Sequence, residues 1–302
     1  MNAEQVRRII RRNRESIAFL LGNGINRYYT PSNLSWNELL LALWSEYTFR
    51  TKSTIPKGLS FTEFYDLLEI ENYDKPDFGL VVQKHVQDLL LQWRPNTKQN
   101  LILDSIRDMD APILTTNFDD LIPRSMELDF YNMKGKDFTD FYPWSCYYAK
   151  QELKVPSEGF GVWYVNGMAR YHRSIRLGLA QYIGGISRAR RMIVGDRKIM
   201  ASGKKGKNEW EGLRTWLQIF FNKALFIFGL GLDESEIFLR WLVIERAKYF
   251  RQSPRRKRKG WYLVADEAPD GGNEGRSFFL ESCGFEVLRV KTYKTMYEEI
   301  WT

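Results

Sequence analysis

The sequence predicts an α/β fold: a parallel sheet flanked by helices, with an inserted helical subdomain, forming a single domain over residues 1–302. Three observations carry this. Short, continuous apolar runs alternate with helical periodicities, the pattern of strands buried on both faces and joined by crossovers. Three of those runs end in glycine-rich or polar turns, at 22–27, 115–119 and 229–233. A parallel sheet gathers such turns on one rim, where ligands bind.

The elements follow in order. Apolar positions at Val6, Ile9 and Ile10 predict an amphipathic helix over 3–16. Its arginines (Arg7, Arg8, Arg11, Arg12, Arg14) form either a solvated face or a nucleic-acid contact. Ile17–Leu21 reads as a buried strand running into Gly22-Asn-Gly-Ile-Asn-Arg27. Ser35 with Glu38, and Ser60 with Glu63, are capping boxes that open helices over 36–49 and 61–71. Helical patterns over 78–94 and 97–108, separated by Pro95, complete a helical insertion at 35–108. Residues 111–115 form a strand that leads through Thr116-Asn-Phe-Asp-Asp120 into a short helix. The aromatic-rich stretch 127–160 lacks a clear period and reads as a cap or loop region. Strands at 162–165 and 174–177 precede a helix over 179–193, an exposed Gly- and Lys-rich loop over 194–209 and a helix over 210–222. The apolar strand Ala224–Phe228 ends in Gly229-Leu-Gly-Leu-Asp233. A helix over 234–249, a basic surface loop over 254–259, a strand at 261–265, a helix at 275–282, a strand at 285–290 and a terminal helix at 293–301 finish the chain.

Composition narrows the chemistry. Cys146, Cys283, His85 and His172 are the only cysteines and histidines. Four-cysteine zinc sites and disulfide frameworks are excluded, and any imidazole chemistry must use one of two residues. The net charge of +8 suits an anionic ligand or partner. The apolar run Ile17–Leu21 that follows the N-terminal arginines is shorter than the roughly 7–15 residues of a secretory signal. No apolar run approaches the ~20 residues of a membrane span. The expected location is the cytoplasm, with reduced thiols and no membrane contact.

A strand entering a glycine-rich turn suits a nucleotide, because glycine lets the backbone approach a phosphate. Arg27 stands where a GxGxxG fingerprint needs its third glycine, so this loop alone also reads as an ordinary turn between strand and helix. Four segments occur in order: Leu21–Asn26, Thr115-Thr-Asn-Phe-Asp119, Val165-Asn-Gly167 with Ser174–Gly178, and Phe228-Gly-Leu-Gly-Leu-Asp-Glu234. Together they resemble bacterial SIR2-like domains across roughly residues 17–250. The resemblance implies a Rossmann-like core that binds NAD, and many such domains are NAD-hydrolysing effectors of antiphage defence. With two cysteines the four-thiolate zinc module of sirtuin deacetylases cannot form. NAD is therefore expected as a substrate to be cleaved, without zinc.

The resemblance also implies roles. Asn117 matches the family's asparagine, whose amide donates to a ribose hydroxyl and accepts from water, setting the nucleophile against the anomeric carbon; the other reading is a cap on the following helix. Asp119 holds the loop or a ribose hydroxyl, or serves the helix start. Gly22, Asn23, Gly24 and Asn26 would form the phosphate loop, with Arg27 at the pyrophosphate or in solvent. Thr116 and Asn166 join the binding set, and Gly229, Gly231 and Asp233 would line the adenosine side. Arg176 is either a buried charge with a partner nearby or a functional group. The family's base is a histidine near the Gly that follows the strand, but this strand end reads Tyr164-Val-Asn166-Gly167. His172 is the nearest imidazole and the expected base, with an exposed loop histidine as the alternative. His85 reads as a helix-surface or core-edge residue. Expected partners are NAD+ or ADP-ribose, a gate formed by homo-oligomerisation or a co-encoded activator, and non-specific nucleic acid. The competing readings are a catalytically silent NAD- or ADP-ribose-binding module and a nucleic-acid-associated component of a defence complex.

Overall fold

The computed structural model describes residues 1–134, 142–194, 210–268 and 274–302. Eight strands form one sheet: β1 (Ile17–Leu21), β2 (Ile113–Thr115), β3 (Asp129–Asn132), β4 (Cys146–Ala149), β5 (Val162–Tyr164), β6 (Ala224–Phe228), β7 (Gly260–Ala265) and β8 (Glu286–Val290). Their order is β3-β4-β5-β2-β1-β6-β7-β8. The pairs from β5 through β8 are parallel, while β3 and β4 add to the β5 edge antiparallel. Counting only the parallel strands in chain order gives 3-2-1-4-5-6, the Rossmann-like order. The order reverses between β1 and β6, so the crevice at that switch point opens beyond Leu21 and Phe228.

The central strands are continuous apolar runs because both faces are covered. On β1, Ala18 and Leu20 enter one core while Ile17, Phe19 and Leu21 enter the other, the period of two that a strand imposes. Helix α1 (Ala3–Arg12) caps with Asn2 and buries Val6 and Ile10. A short helix, α2 (Gly24–Tyr29), follows β1 almost at once. Helices α3 (Trp36–Thr48) and α4 (Phe61–Glu71) start at the capping boxes of Ser35 and Ser60. With α5 (Phe78–Leu91) they share a separate core, including Trp44, Phe64 and Val86, which also takes in Phe118, Ile175 and Leu177. Helix α6 (Asn100–Asp108) lies instead on the sheet through Ile102 and Ile106. Helices α7 (Leu121–Ser125), α8 (Leu179–Val194), α9 (Trp216–Asn222), α10 (Ile237–Gln252) and α11 (Glu274–Ser282) complete the layers, and the terminal segment winds as a π turn over Thr295–Glu299.

Three expectations change. The stretch 127–160 contains β3 and β4, which extend the sheet; Tyr147 stacks on Trp163 of β5 at 4.5 Å. Residues 174–177 are not a strand. Gly167 turns with φ +113°, Ser174 Oγ accepts from the Met168 N–H at 3.0 Å, and Gln83 Nε2 donates to the Ile175 carbonyl at 2.7 Å. The apolar side chains of this segment therefore join the helical subdomain. The helix expected over 210–222 begins only at Trp216, where Thr215 accepts from the Leu217 N–H. Beyond Val194, the loop expected over 194–209 lies outside the described residues. No helix among the described residues is long and apolar enough to cross a membrane.

Candidate active site

The carboxyl ends of β1, β2, β5 and β6 meet at one cleft of about 1270 Å³, roofed by the helical subdomain through Trp36, Leu39 and Phe61. Asn23, Gly24, Arg27, Thr116, Asn117, Asp119, Asn166, Gly229, Gly231 and Asp233 all line it. Two expected loop residues, Gly22 and Asn26, lie behind the wall.

The glycines act first on packing. The Gly24 N–H donates to the Gly229 carbonyl at 2.8 Å, and the Gly22 N–H donates to the Phe228 carbonyl at 3.3 Å. A Cβ on Gly22 would strike the Gly229 carbonyl, and one on Gly24 would sit 2.7 Å from the Gly229 Cα. Two strand-end loops thus touch backbone to backbone, which only glycine permits. At Gly231 a Cβ would meet nothing nearer than Asp233 Oδ2 at 3.9 Å, so this position is open to the cleft.

Asp119 resolves its own alternatives. It is buried, its Oδ1 accepts from the Leu121 N–H at 3.0 Å and its Oδ2 accepts from Asn26 Nδ2 at 2.9 Å. It therefore holds the start of α7 and ties it to α2. Burial pushes its pKa up to about 6. This frees Asn117 from capping: its backbone N–H bonds Thr115 Oγ1 at 3.1 Å, while its buried Nδ2 has no partner. Asn166, just past β5, likewise leaves its buried Oδ1 unpaired. Tyr164, the last residue of β5, donates its hydroxyl to the Asp119 carbonyl at 2.7 Å.

Neither histidine lines the cleft. His172 is half-buried in the 3₁₀ turn His172–Ser174, and His85 Nδ1 lies 2.9 Å from the Tyr47 hydroxyl on the subdomain. His172 therefore lies outside the cleft lining, in the small loop that Ser174 Oγ closes by accepting from the Met168 N–H. Arg176 is buried against aromatic faces, 3.8 Å from the Tyr142 ring and 4.5 Å from that of Phe238. Arg27 is half-exposed and pairs loosely with Glu38 at 3.7 Å.

Several lining residues escaped the sequence reading, Glu236 and Tyr182 among them. Glu236 directly precedes α10 and leaves a buried Oε2 without a hydrogen-bond partner. Burial and the neighbouring Asp233 charge push its pKa up to about 7, against an opposing hydrogen bond from Asn166. Tyr182 of α8 forms the adjoining wall. The run Asp233-Glu-Ser-Glu236 after a central strand was the available signal. At the other end, Tyr28 stacks on Tyr297 at 4.8 Å and Tyr297 on Tyr293 at 6.2 Å, making an aromatic wall.

Both cysteines are free thiols, Cys146 buried in β4 and Cys283 partly buried. The basic segments lie elsewhere: Arg11, Arg12 and Arg14 lead into the amino end of β1, and residues 254–259 into that of β7, on the rim opposite the cleft. No protein-family model matches this chain, and no curated protein matches it.

Proposed function

We propose that the protein is an NAD+ glycohydrolase that releases nicotinamide and ADP-ribose. The observation that carries this reading is the pair of unpartnered polar atoms, Asn117 Nδ2 and Asn166 Oδ1, at neighbouring strand ends in a cleft at the switch point. A buried polar group without a partner costs about 1–3 kcal/mol. One donor and one acceptor together suit a ribose hydroxyl, which both accepts and donates. The dinucleotide's pyrophosphate would lie along Gly229–Gly231 within reach of Arg27, and its adenine toward the tyrosine wall.

The reaction makes modest demands. Nicotinamide leaves as a neutral molecule from a cationic glycoside, and the ribose develops oxocarbenium character. The protein must fix the ribose, exclude bulk solvent and hold one water against the anomeric carbon. Asn117 and Asn166 fix the ribose, and the subdomain roof excludes solvent. Following free nicotinamide and ADP-ribose by chromatography after incubation with NAD tests the reading; absence of both, with and without candidate activators, rejects it.

A silent NAD- or ADP-ribose-binding module is the second reading, favoured by the absence of either histidine from the lining. Calorimetric binding of NAD without nicotinamide release distinguishes it. We place the activity in antiphage defence, in the cytoplasm, on the family resemblance, with oligomerisation or a co-encoded activator as the gate. NAD depletion on infection of cells expressing the protein tests that setting.

A further inference from the structure

We propose that Glu236 is the catalytic base of this site, taking the proton of the attacking water through its Oε2. The inference rests on the glycohydrolase reading and supplies the group that reading lacks. No imidazole lines the cleft, whereas Glu236 does, together with Asn117 and Asn166. Its Oε2 is buried and accepts no hydrogen bond, so a lone pair is available to a bound molecule. A buried carboxylate oxygen left bare is costly, and a bound water is the smallest ligand that relieves it.

The neighbours bear on its charge. Asp233 and Tyr182 face Glu236 and interact with it electrostatically, and Asn166 bonds it. Arg176, which interacts with Tyr182, packs on the Tyr142, Tyr182 and Phe238 rings. Burial and Asp233 both raise the pKa toward neutrality, where a base is half-ionised and strong enough to accept from water. Asp233 is less suited, since its Oδ1 already accepts from the Ser235 N–H at 2.8 Å.

The step balances. The water oxygen bonds to the ribose anomeric carbon, one water proton passes to Glu236 Oε2, and the carbon–nitrogen bond breaks with its electron pair going to nicotinamide. The proton then leaves to solvent, giving ADP-ribose, nicotinamide and one proton per NAD+.

The test uses the full chain, with NAD turnover followed by nicotinamide release and NAD binding by calorimetry. Wild-type kcat/KM should rise tenfold per pH unit below about 7 and level above it. Glu236→Gln should retain NAD binding, lose the acidic limb and slow turnover by ~10²–10⁴-fold. Azide is an anion that needs no base, so with Glu236→Ala it should restore nicotinamide release and yield the ADP-ribosyl azide. A structural role would not produce azide rescue. If wild type turns over NAD and Glu236→Gln matches it with the limb intact, the base assignment fails alone. Loss of the limb in His172→Ala instead also overturns it. If wild type releases no nicotinamide, the glycohydrolase reading fails and this assignment with it.

Discussion

Asn26 donates through Nδ2 to Asp119 Oδ2 over 2.9 Å, joining α2, which follows β1, to the loop after β2 behind the cleft wall. The same carboxylate accepts from the Leu121 N–H at the start of α7, so the β1 side of the switch point depends on one buried acid.

That acid gives a pH signature. Burial raises the Asp119 pKa from 3.8 to about 6 in the folded protein. Between those values the folded state holds a proton that the unfolded chain has released. Its contribution to stability is therefore full below the lower value, falls as pH rises to the upper one and is flat above. At 1.36 kcal/mol per unit the change is about 3 kcal/mol. Urea unfolding of wild type and Asp119→Asn at pH 4, 5, 6 and 7 should show the wild-type advantage shrinking by about that amount. A difference independent of pH contradicts the assignment.

The paired loops predict a contrast among glycines. Gly24→Ala places its Cβ 2.7 Å from the Gly229 backbone, and overpacking of this kind costs about 1–3 kcal/mol. Gly231→Ala meets only Asp233 Oδ2 at 3.9 Å and should change stability by no more than ~0.5 kcal/mol. Equal losses in thermal denaturation would show that the close approach of the two loops does not limit stability.

The contrast also shows what the sequence could convey. β1 and β6 match the apolar runs 17–21 and 224–228 residue for residue, because strands dry on both faces need no alternation. The helix starts at Ser35 and Ser60 were equally legible, since a capping box is closed by residues three apart. β3 and β4 were not, because β4 pairs with β5 across a long connection and β3, a half-exposed edge, pairs only with β4. Gly22 and Gly24 read as a phosphate loop, but glycine is equally demanded where two backbones touch, and only the fold shows which demand acts on each. Glu236 was missed for the same reason. A carboxylate becomes a base through its surroundings, and here Asn166 arrives from beyond β5 and Tyr182 from α8.

Arg27 separates binding from stability. Its ion pair with Glu38 spans 3.7 Å between half-exposed side chains, and such pairs contribute about 0–1 kcal/mol. Arg27→Ala should therefore unfold at nearly the wild-type temperature. A charge-assisted contact to a pyrophosphate is worth about 1.5–3 kcal/mol, so NAD affinity should fall roughly 10- to 100-fold by calorimetry. High salt should narrow the gap between the two proteins, since Arg27 is solvent-accessible. Unchanged affinity would place the pyrophosphate away from this side of the cleft.

Asn117 gives the sharpest separation of roles. Its Nδ2 is buried without a partner, and its backbone N–H, which holds the turn at Thr115 Oγ1, survives any substitution except proline. Asn117→Ala removes a desolvated donor along with some packing, and these oppose each other. Stability should shift by less than ~1 kcal/mol, toward either sign, against the 1–3 kcal/mol expected for losing a satisfied buried bond. Asn117→Asp keeps the shape but replaces the donor with an acceptor-only charge beside Glu236 and Asp233, all three in one cleft. Both variants should lose at least ~100-fold in nicotinamide release, the scale of a misplaced reacting group. Denaturation midpoints and turnover measured on the same preparations check this. A variant that loses stability and activity in proportion would make Asn117 a structural residue, and the ribose-binding role would pass to Asn166 alone.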